Sequence, residues 1–203
     1  MNSNNNLLYE LYKLKLFGYK YINKSRIIKS NDIVLPNNIN ELYNRISNCN
    51  LCELSNISKS KLTHKNNINS NIAILVPHIL NNIQYKILEN MVKKYFNINI
   101  QEIIILNLIK CDINDNNIST TCYNTCKDYT IKQLQILKPK YIFSFGDVYK
   151  YIIDNKLTIG QKIIYNNSNL YYLEDLNYIV RNPSSIEKFE NILNKIKNEM
   201  EKL

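Results

Sequence analysis

The sequence predicts a single three-layer α/β domain built on a central, mainly parallel sheet. Short apolar, β-branched runs at residues 72–76, 103–109 and 141–145 are typical of strands that are buried on both faces. Segments with helical spacing separate these runs, and such alternation favours parallel strands joined by helices. The chain has 203 residues, which is enough for one domain of this kind with a substantial core.

Residues 1–38 are predicted to form a helical accessory arm ahead of the α/β domain of residues 39–203. Helical spacing in the arm is carried by four leucines, Leu7, Leu8, Leu11 and Leu14. Gly18 follows them and is a suitable C-terminal stop for that helix.

The first half of the domain leads from a short helix to the central strand. Residues 40–47 form the predicted helix, which delivers a pair of cysteines. After a polar loop, the strand of residues 72–76 ends at Pro77. The helix predicted for residues 82–96 has one apolar face, made of Ile83, Ile87, Leu88, Met91 and Val92.

A long helix and the third strand follow the central strand. Ser119 or Thr120 can cap the helix, because both side chains can accept a hydrogen bond from the first turn. The helix is expected to stop before Lys138 and Pro139, since the residue before a proline avoids helical geometry. The strand of residues 141–145 comes next.

The pattern is less regular beyond the third strand. Gly146 suits a turn, and Asp147 can cap a short helix. Residues 162–165 and 170–173 are predicted as a hairpin or short strands, and residues 178–181 as the last strand. A C-terminal helix then turns five apolar residues inward: Ile186, Phe189, Leu193, Ile196 and Met200.

The chain is basic, with 26 Lys and Arg against 17 Asp and Glu and a formal net charge of +9. This charge favours a polyanionic partner such as nucleic acid, although a general bias towards Asn, Ile, Lys and Tyr would raise the lysine count without forming a patch. No run of about 18 apolar residues exists, so no membrane span is expected. The first residues are polar and unlike a signal peptide. We therefore expect a cytoplasmic protein, and a monomer.

The five cysteines are expected to be thiols or metal ligands rather than disulfides. Cys49 and Cys52 form a CxxC pair, and Cys111 stands at the end of the central strand. Cys122 and Cys126 are four residues apart, on one face of a helix. Four thiolates suit a tetrahedral zinc ion or an iron–sulfur cluster. A set of buried thiols without metal is the alternative, and a four-ligand site leaves one cysteine over.

Asn107 interrupts the apolar central strand, where an amide costs free energy unless it finds a partner. Open α/β sheets bind ligands at the carboxyl ends of their strands. This one element could therefore hold an amide that reads a ligand and, shortly after it, the thiolate of Cys111. Alternatively, Asn107 bonds a neighbouring loop and Cys111 is a small buried residue.

Taken in order, these features resemble the iron–sulfur (family 4) uracil-DNA glycosylases of the uracil-DNA glycosylase superfamily. The similarity runs from Glu41 to the C-terminus, and the cysteine pattern and the Asn-x-x-Lys-Cys strand end are its most specific parts. The matching pieces, besides the strand of residues 72–76, are Asn48-Cys49-Asn-Leu-Cys52-Glu-Leu54, Leu106-Asn107-Leu-Ile-Lys110-Cys111, Cys126-Lys-Asp-Tyr-Thr-Ile-Lys-Gln133-Leu134, Lys138-Pro139-Lys-Tyr-Ile-Phe-Ser-Phe-Gly146 and Asn182-Pro183-Ser184.

The resemblance implies a uracil-DNA glycosylase-like α/β/α fold with a cysteine-bound cofactor. A [4Fe–4S] cluster would be held by Cys49, Cys52, Cys111 and Cys126, which makes Cys122 the surplus thiol. Thiolate-only sites accept zinc as well, so the resemblance decides the metal, and zinc is the less favoured one.

The resemblance also implies the reaction, cleavage of the N-glycosidic bond of a uracil that has been flipped out of DNA. Asn107 would pair with the uracil edge, because an amide offers both a donor and an acceptor. The family carries a Gly-Glu-x-Pro-Gly type loop that positions the attacking water and a downstream aromatic residue that stacks on uracil. Its His-Pro-Ser loop supplies a histidine that stabilises the leaving anion.

The sequence departs from the family at these loops. The loop after the first strand reads Pro77-His78-Ile79-Leu80-Asn81-Asn82. His78 falls roughly where the acidic residue would be, so water activation would pass to His78, Asn81 or Asn82. The segment with the stacking aromatic is missing or much shortened. Asn182 replaces the histidine, although Asn-Pro-Ser also resembles the loop of mismatch-specific uracil and thymine glycosylases.

The resulting hypothesis is a uracil-DNA glycosylase-like iron–sulfur protein that acts on DNA in base-excision repair. His78 and Asn182 would be catalytic, and Asn107 and Ser184 would bind the substrate. Asn107, His78 and Asn182 are expected to face one cavity at the carboxyl ends of their strands. Lys110 is the candidate phosphate contact.

Four alternative interpretations compete with this hypothesis, two for the whole protein and two for single residues. The protein could be a catalytically impaired DNA-binding iron–sulfur protein of the same fold, or a zinc-stabilised α/β domain of unrelated role. At the level of residues, His78 could be an ordinary loop histidine. Ser184 could form a capping box with Glu187, which would make Asn182 part of a helix entry only.

Overall fold

The computed structural model describes residues 35–62, 69–113 and 118–201, together with Lys15. The chain divides into two units, Met1–Leu35 and Pro36–Leu203, and the description below concerns the second. The arm predicted for residues 1–38 therefore lies almost entirely outside the described residues.

The centre of the second unit is a five-stranded sheet with the strand order β2-β1-β3-β5-β4. β1 pairs in parallel with β2 and β3, and β5 pairs in parallel with β3. β4 runs antiparallel to β5 at the margin. The strands are β1 (Ile72–Val76), β2 (Ile104–Asn107), β3 (Tyr141–Phe145), β4 (Lys162–Tyr165) and β5 (Ser168–Leu173). The carboxyl ends of four strands thus meet at one edge of the sheet.

Helices cover both faces of the sheet, and this confirms the predicted three-layer α/β/α architecture. The α-helices are α1 (Ile39–Ser47), α2 (Leu54–Ile57), α3 (Asn82–Met91), α4 (Thr120–Leu137), α5 (Leu176–Arg181) and α6 (Ile186–Met200). A π-helical turn, Val92–Phe96, extends α3, and three 3-10 turns lie at Ile100–Glu102, Gly146–Tyr151 and Pro183–Ser185. Within the described ranges no helix is long and apolar enough to cross a membrane.

Alternate residues of each strand enter two separate cores. On one face Ile74 and Phe143 pack with Leu88 of α3 and Leu193 of α6. On the other face the core includes residues such as Leu75, Leu106 and Ile142 from the strands and Leu134 from α4. All residues of β1 and β3 are buried. Their sequences are therefore largely apolar runs, without the alternation of apolar and polar residues that a half-exposed strand shows.

Polar caps fix where three helices begin. Asn38 accepts hydrogen bonds from the first turn of α1. Asn81 and Gln84 form a reciprocal capping box at the start of α3. Ser119, rather than Thr120, caps α4, where its side chain accepts from the N–H of Cys122.

The strand predicted for residues 178–181 is wrong, because these residues belong to helix α5. The fourth parallel strand is β5, which the sequence indicated only as part of a hairpin. Asp175 caps α5 by accepting hydrogen bonds from the N–H groups of Asn177 and Tyr178. Leu176 and Ile179, three residues apart, bury the inner face of this helix. The cap and this spacing outweigh the strand preference of the Tyr-Ile-Val run.

Several smaller expectations about inward side chains and helix caps also differ from the structure. Ile83 is 60% exposed and Ile186 is 43% exposed, although both were expected to point inward. Ser184 lies in a 3-10 turn, so the predicted capping box with Glu187 does not start α6. Asp147 lies inside the turn after β3 and does not cap a helix there.

Candidate functional site

A cavity of about 400 Å³ lies at the carboxyl edge of the sheet, and we call it the edge cavity. It is lined by Pro77, His78, Leu108, Tyr123, Asp147, Val148, Tyr151, Asp175, Asn177 and Arg181. His78 follows β1, Leu108 follows β2, Asp147 follows β3 and Asp175 follows β5. Open α/β sheets place their ligands in such crevices outside the carboxyl ends of the strands.

The two carboxylates of the edge cavity differ in how firmly they are held. The Oδ1 atom of Asp175 accepts from the N–H of Asn177 at 2.8 Å and from that of Tyr178 at 3.2 Å. A Cβ atom added to Gly146 would lie 2.7 Å from Asp175 Oδ2, so the glycine lets this carboxylate approach the backbone. Asp147 instead pairs with Lys150 at 2.7 Å on the surface, where its side chain is 61% exposed.

Two tyrosines form an aromatic side of the edge cavity. The rings of Tyr123 and Tyr151 stack with centroids 5.1 Å apart and an interplanar angle of 27°. Burial raises the pKa of Tyr123, and the nearby Tyr151 and Asp175 raise that pKa further. Tyr123 therefore stays neutral at physiological pH, and it lines the cavity together with Asp175.

Asn107 and His78 meet through the loop that follows β1. Asn107 donates from Nδ2 to the backbone oxygen of His78 at 2.6 Å. The Nδ1 atom of the His78 ring lies 3.0 Å from the backbone oxygen of Ile79. The amide of Asn107 is 2% exposed and does find a partner in a neighbouring loop, which is one of the alternatives that the sequence left open.

Asn107 lines a second, smaller cavity of about 220 Å³, which we call the amide cavity. Its walls are apolar except for the amides of Asn107 and Gln101 and the hydroxyl group of Tyr85. The other residues that line it are Ile79, Leu80, Ile100, Ile103 and Ile105. The segment that follows β1 thus contributes His78 to the edge cavity and Ile79 and Leu80 to the amide cavity.

Asn182 does not occupy the position expected for it. It ends helix α5, where its Nδ2 donates to the backbone oxygen of Tyr178 at 2.9 Å. Ser184 is exposed in the following turn. Neither residue is among the described residues that line the edge cavity or the amide cavity. The expected sharing of one cavity by Asn107, His78 and Asn182 is therefore not observed, because a helix replaces the strand that was to position Asn182.

Lys110 is buried rather than exposed, so its expected contact with phosphate is wrong. Its side chain is 2% exposed and donates from Nζ to the backbone oxygen of Asn107 and, at 2.6 Å, to Oε1 of Gln133. Thr130 donates to the same oxygen of Asn107 at 3.4 Å. Burial lowers the pKa of Lys110 to about 7, although Cys126 opposes the shift.

Four of the cysteines pack together beyond the end of β2. Cys111, Cys122 and Cys126 are buried in one cluster, and Cys52 packs against it. Cys49 lies at the end of α1 and hydrogen-bonds with Tyr129, one turn of α4 beyond Cys126. Residues 60–62 pair with residues 110–112, which joins the CxxC segment to the extension of β2.

The donor chemistry of this cluster fits a thiolate-bound metal centre. Burial raises the pKa of Cys126 to about 12, against the lowering effect of Lys110, so this thiol is neutral without a bound cation. Metal ligation requires deprotonated sulfur, and a bound cation would supply the compensating charge. Across residues 35–62, 69–113 and 118–201 no three His, Cys, Asp or Glu side chains already surround a metal position.

The sequence left the polar residues of the α5 side of the edge cavity unassigned. Asp175 lies two residues past β5, Asn177 and Arg181 lie on α5, and all three line the cavity. The sequence did contain a signal for Asp175, because an acidic residue two positions past a parallel strand is a site candidate in this fold class. It was missed because the last parallel strand was placed at residues 178–181.

Comparisons with known proteins bear on the identity of the chain. The sequence matches no protein-family model and no curated protein sequence.

Proposed function

We propose that this protein is a uracil-DNA glycosylase-like iron–sulfur protein that flips uracil out of DNA and cleaves its N-glycosidic bond in base-excision repair. One arrangement supports the proposal most. Asn107 ends β2, bonds the loop after β1 at His78, and precedes the cysteine cluster at Cys111 by four residues. An amide reader, a loop for hydrolysis and a cysteine-rich lobe thereby adjoin one end of the sheet.

The amide cavity suits the flipped base. Its volume is below the range of about 300–1,000 Å³ typical of pockets for drug-sized ligands. Apolar walls can enclose the faces of a pyrimidine, and Asn107 can pair with its edge, because an amide matches a group that carries a donor beside acceptors. Tyr85, which is 38% exposed at this cavity, is an aromatic ring available for stacking.

The edge cavity suits the sugar and the attacking water. His78 lies there with two carboxylates and Arg181, so groups that can orient water and bind an anion are within one crevice. The catalytic role of Asn182 and the substrate contact of Ser184 stay predictions.

The cofactor proposed for the cysteine lobe is a [4Fe–4S] cluster, with zinc as the less favoured metal. Cys49, Cys52, Cys111 and Cys126 would hold it, and Cys122 would pack beside it. The bound cluster would tie the CxxC segment to the extension of β2 and to α4, as structural metal centres stabilise small lobes. The protein's own residues carry out base reading and hydrolysis.

A catalytically impaired DNA-binding protein with the same fold is the second candidate. Residues 77–82 contain no acidic residue, and the His78 ring bonds the carbonyl of its own neighbour. A loop without a carboxylate favours a protein that retains binding and has lost hydrolysis.

A glycosylase assay with anaerobically purified protein separates these candidates. The substrates are single- and double-stranded oligonucleotides with one uracil, and matched oligonucleotides with thymine at that position are the control. Cleavage confined to uracil supports the glycosylase. Binding without cleavage, with an affinity that falls steeply as salt rises through counterion release, supports the second candidate. If the protein neither binds nor cleaves these oligonucleotides at low salt, DNA is ruled out as its partner.

A further inference from the structure

We infer that Asp175 is a catalytic residue of the edge cavity, where its carboxylate holds and deprotonates the water that attacks the sugar. The inference rests on the proposed function and adds a group that the family resemblance did not indicate. The carboxylate that is missing from the loop after β1 is supplied from the loop after β5.

The position of Asp175 fits this role. It lies two residues past β5, and His78 lies two residues past β1. β1 and β5 both flank β3, so their carboxyl ends face one crevice from two sides. Both residues line the edge cavity, which brings a carboxylate and an imidazole to one crevice.

Asp175 is also held in place before any substrate binds. Its Oδ1 atom accepts two backbone N–H groups, and its Oδ2 atom lies against Gly146. A reacting group fixed in this way needs no reorganisation when the substrate arrives. Asp147, the other carboxylate in the cavity, is exposed and paired with Lys150, so it is a weaker candidate.

The proposed step balances without a further reactant. The water oxygen forms a bond to C1′ of the deoxyribose as the bond from C1′ to N1 of uracil breaks. The electron pair of the broken bond leaves with uracil, and a water proton moves to the Asp175 carboxylate. The negative carboxylate also stabilises the positive charge that develops on the sugar, as in other glycoside hydrolyses. Transfer of that proton to the uracil anion or to solvent restores the enzyme.

The test compares Asp175→Asn with the wild-type protein in single-turnover cleavage of uracil DNA. Asparagine caps a helix about as well as aspartate, so the start of α5 is preserved while the carboxylate is lost. We expect the cleavage rate to fall by roughly 10²–10⁴-fold. Affinity for the uracil oligonucleotide and the thermal midpoint should stay near wild type. Asp154→Asn removes an equal charge from an exposed position outside the cavity and serves as the control.

A second variant, Asp175→Ser, guards against a folding defect, because serine also caps helices but carries no carboxylate. A folded Asp175 variant that cleaves at the wild-type rate overturns the inference and leaves the proposed function standing. A wild-type protein that binds uracil DNA without cleaving it overturns the proposed function, and the inference with it. Loss of cleavage in both variants with binding retained supports Asp175 as the catalytic carboxylate.

Discussion

Lys110 donates from Nζ to Oε1 of Gln133 at 2.6 Å, and both side chains are almost completely buried. The pair joins the end of β2 to α4 beside the cysteine cluster. Gln133→Leu should destabilise the protein by about 1–3 kcal/mol, because the buried amine of Lys110 and the hydroxyl group of Tyr43 both lose a hydrogen-bond partner. Denaturant unfolding measures the change.

The double variant Lys110→Met with Gln133→Leu should recover part of that loss, since it removes the buried amine together with its acceptor. Recovery is incomplete because the hydroxyl group of Tyr43 still lacks its hydrogen bond to Gln133. Gln135→Leu, an exposed change on the same helix, is the control and should be nearly neutral. Equal stability of the single variant and the wild type would show that the bond contributes nothing.

Gly146→Ala should lower stability more than Gly160→Ala. Both glycines have positive φ, +63° and +82°, so alanine is strained at either position by about 1–2 kcal/mol. At Gly146 the new Cβ would also lie 2.7 Å from Asp175 Oδ2, whereas at Gly160 the nearest atom is a methyl carbon of Ile192 at 3.3 Å. The two thermal midpoints, measured side by side, isolate the contact with Asp175. The prediction fails if they shift equally.

Stability should fall as pH rises above 10. Burial raises the pKa of Tyr172 to about 12, and it also raises the pKa values of Tyr43 and Tyr165 above the ordinary value of 10. At a pH between the tyrosine pKa in the unfolded chain and that in the folded chain, the unfolded chain loses protons that the folded chain keeps. The stabilisation is therefore complete below pH 10 and is lost as pH rises towards 12.

Ultraviolet absorbance of tyrosinate is a direct probe of this transition, because the chain has 16 tyrosines and no tryptophan. Part of the signal should appear only together with unfolding, which circular dichroism follows in the same samples. Ionisation of all tyrosines near pH 10 in a chain that is still folded would contradict the prediction.

Cys111→Ser should abolish the metal centre, whereas Cys122→Ser should leave it in place. The wild-type protein, purified without oxygen, should be brown and contain iron and sulfide. Cys111 lies four residues beyond β2 and is one of the four proposed ligands, but Cys122 is the surplus thiol of that set. Iron, sulfide and zinc analysis of the three proteins provides the measurement. Stoichiometric zinc without iron would remove the iron–sulfur cluster from the account.

Asn107→Asp should slow uracil cleavage by roughly ten- to a hundredfold, which corresponds to loss of a hydrogen bond of about 1.5–3 kcal/mol. A carboxylate keeps acceptors but loses the donor, and it also loses the bond to the backbone oxygen of His78. Single-turnover cleavage measures the effect. Asn90→Asp, which adds the same charge at an exposed site on α3, is the control. Equal rates for the two variants would remove Asn107 as the reader.

The first and third strands could be bounded from sequence alone because they are buried on both faces. Ile72–Val76 and Tyr141–Phe145 are apolar runs of strand length, and such runs can be covered only by helices on each side. Helix α4 was found from its cap and from the proline that follows it. In these places local preference and tertiary burial agree.

Helix α5 could not be predicted in this way, because the strand preference of residues 178–181 disagrees with the helix that these residues form. The Asp175 cap and the buried faces of Leu176 and Ile179 decide the helix, and burial of that kind depends on distant elements. The error moved Asn182 to a strand end and hid Asp175. The burial of Lys110 also depends on a distant element. A lysine near a strand end is expected to be exposed, and only the contact with Gln133 of α4 explains its burial.

The antiparallel strand β4 also bears on whether molecules of this protein associate in a concentrated solution. An unpaired strand margin is a template for addition of another chain, and that addition is the first step of fibre growth. β4 has only four residues and begins with Lys162, which lies 3.6 Å from Glu199. A short margin that carries a charge at one end offers an incoming strand few hydrogen bonds. Although Ile164 is 68% exposed there, we expect the shortness of β4 and the lysine at its start to disfavour addition of another chain.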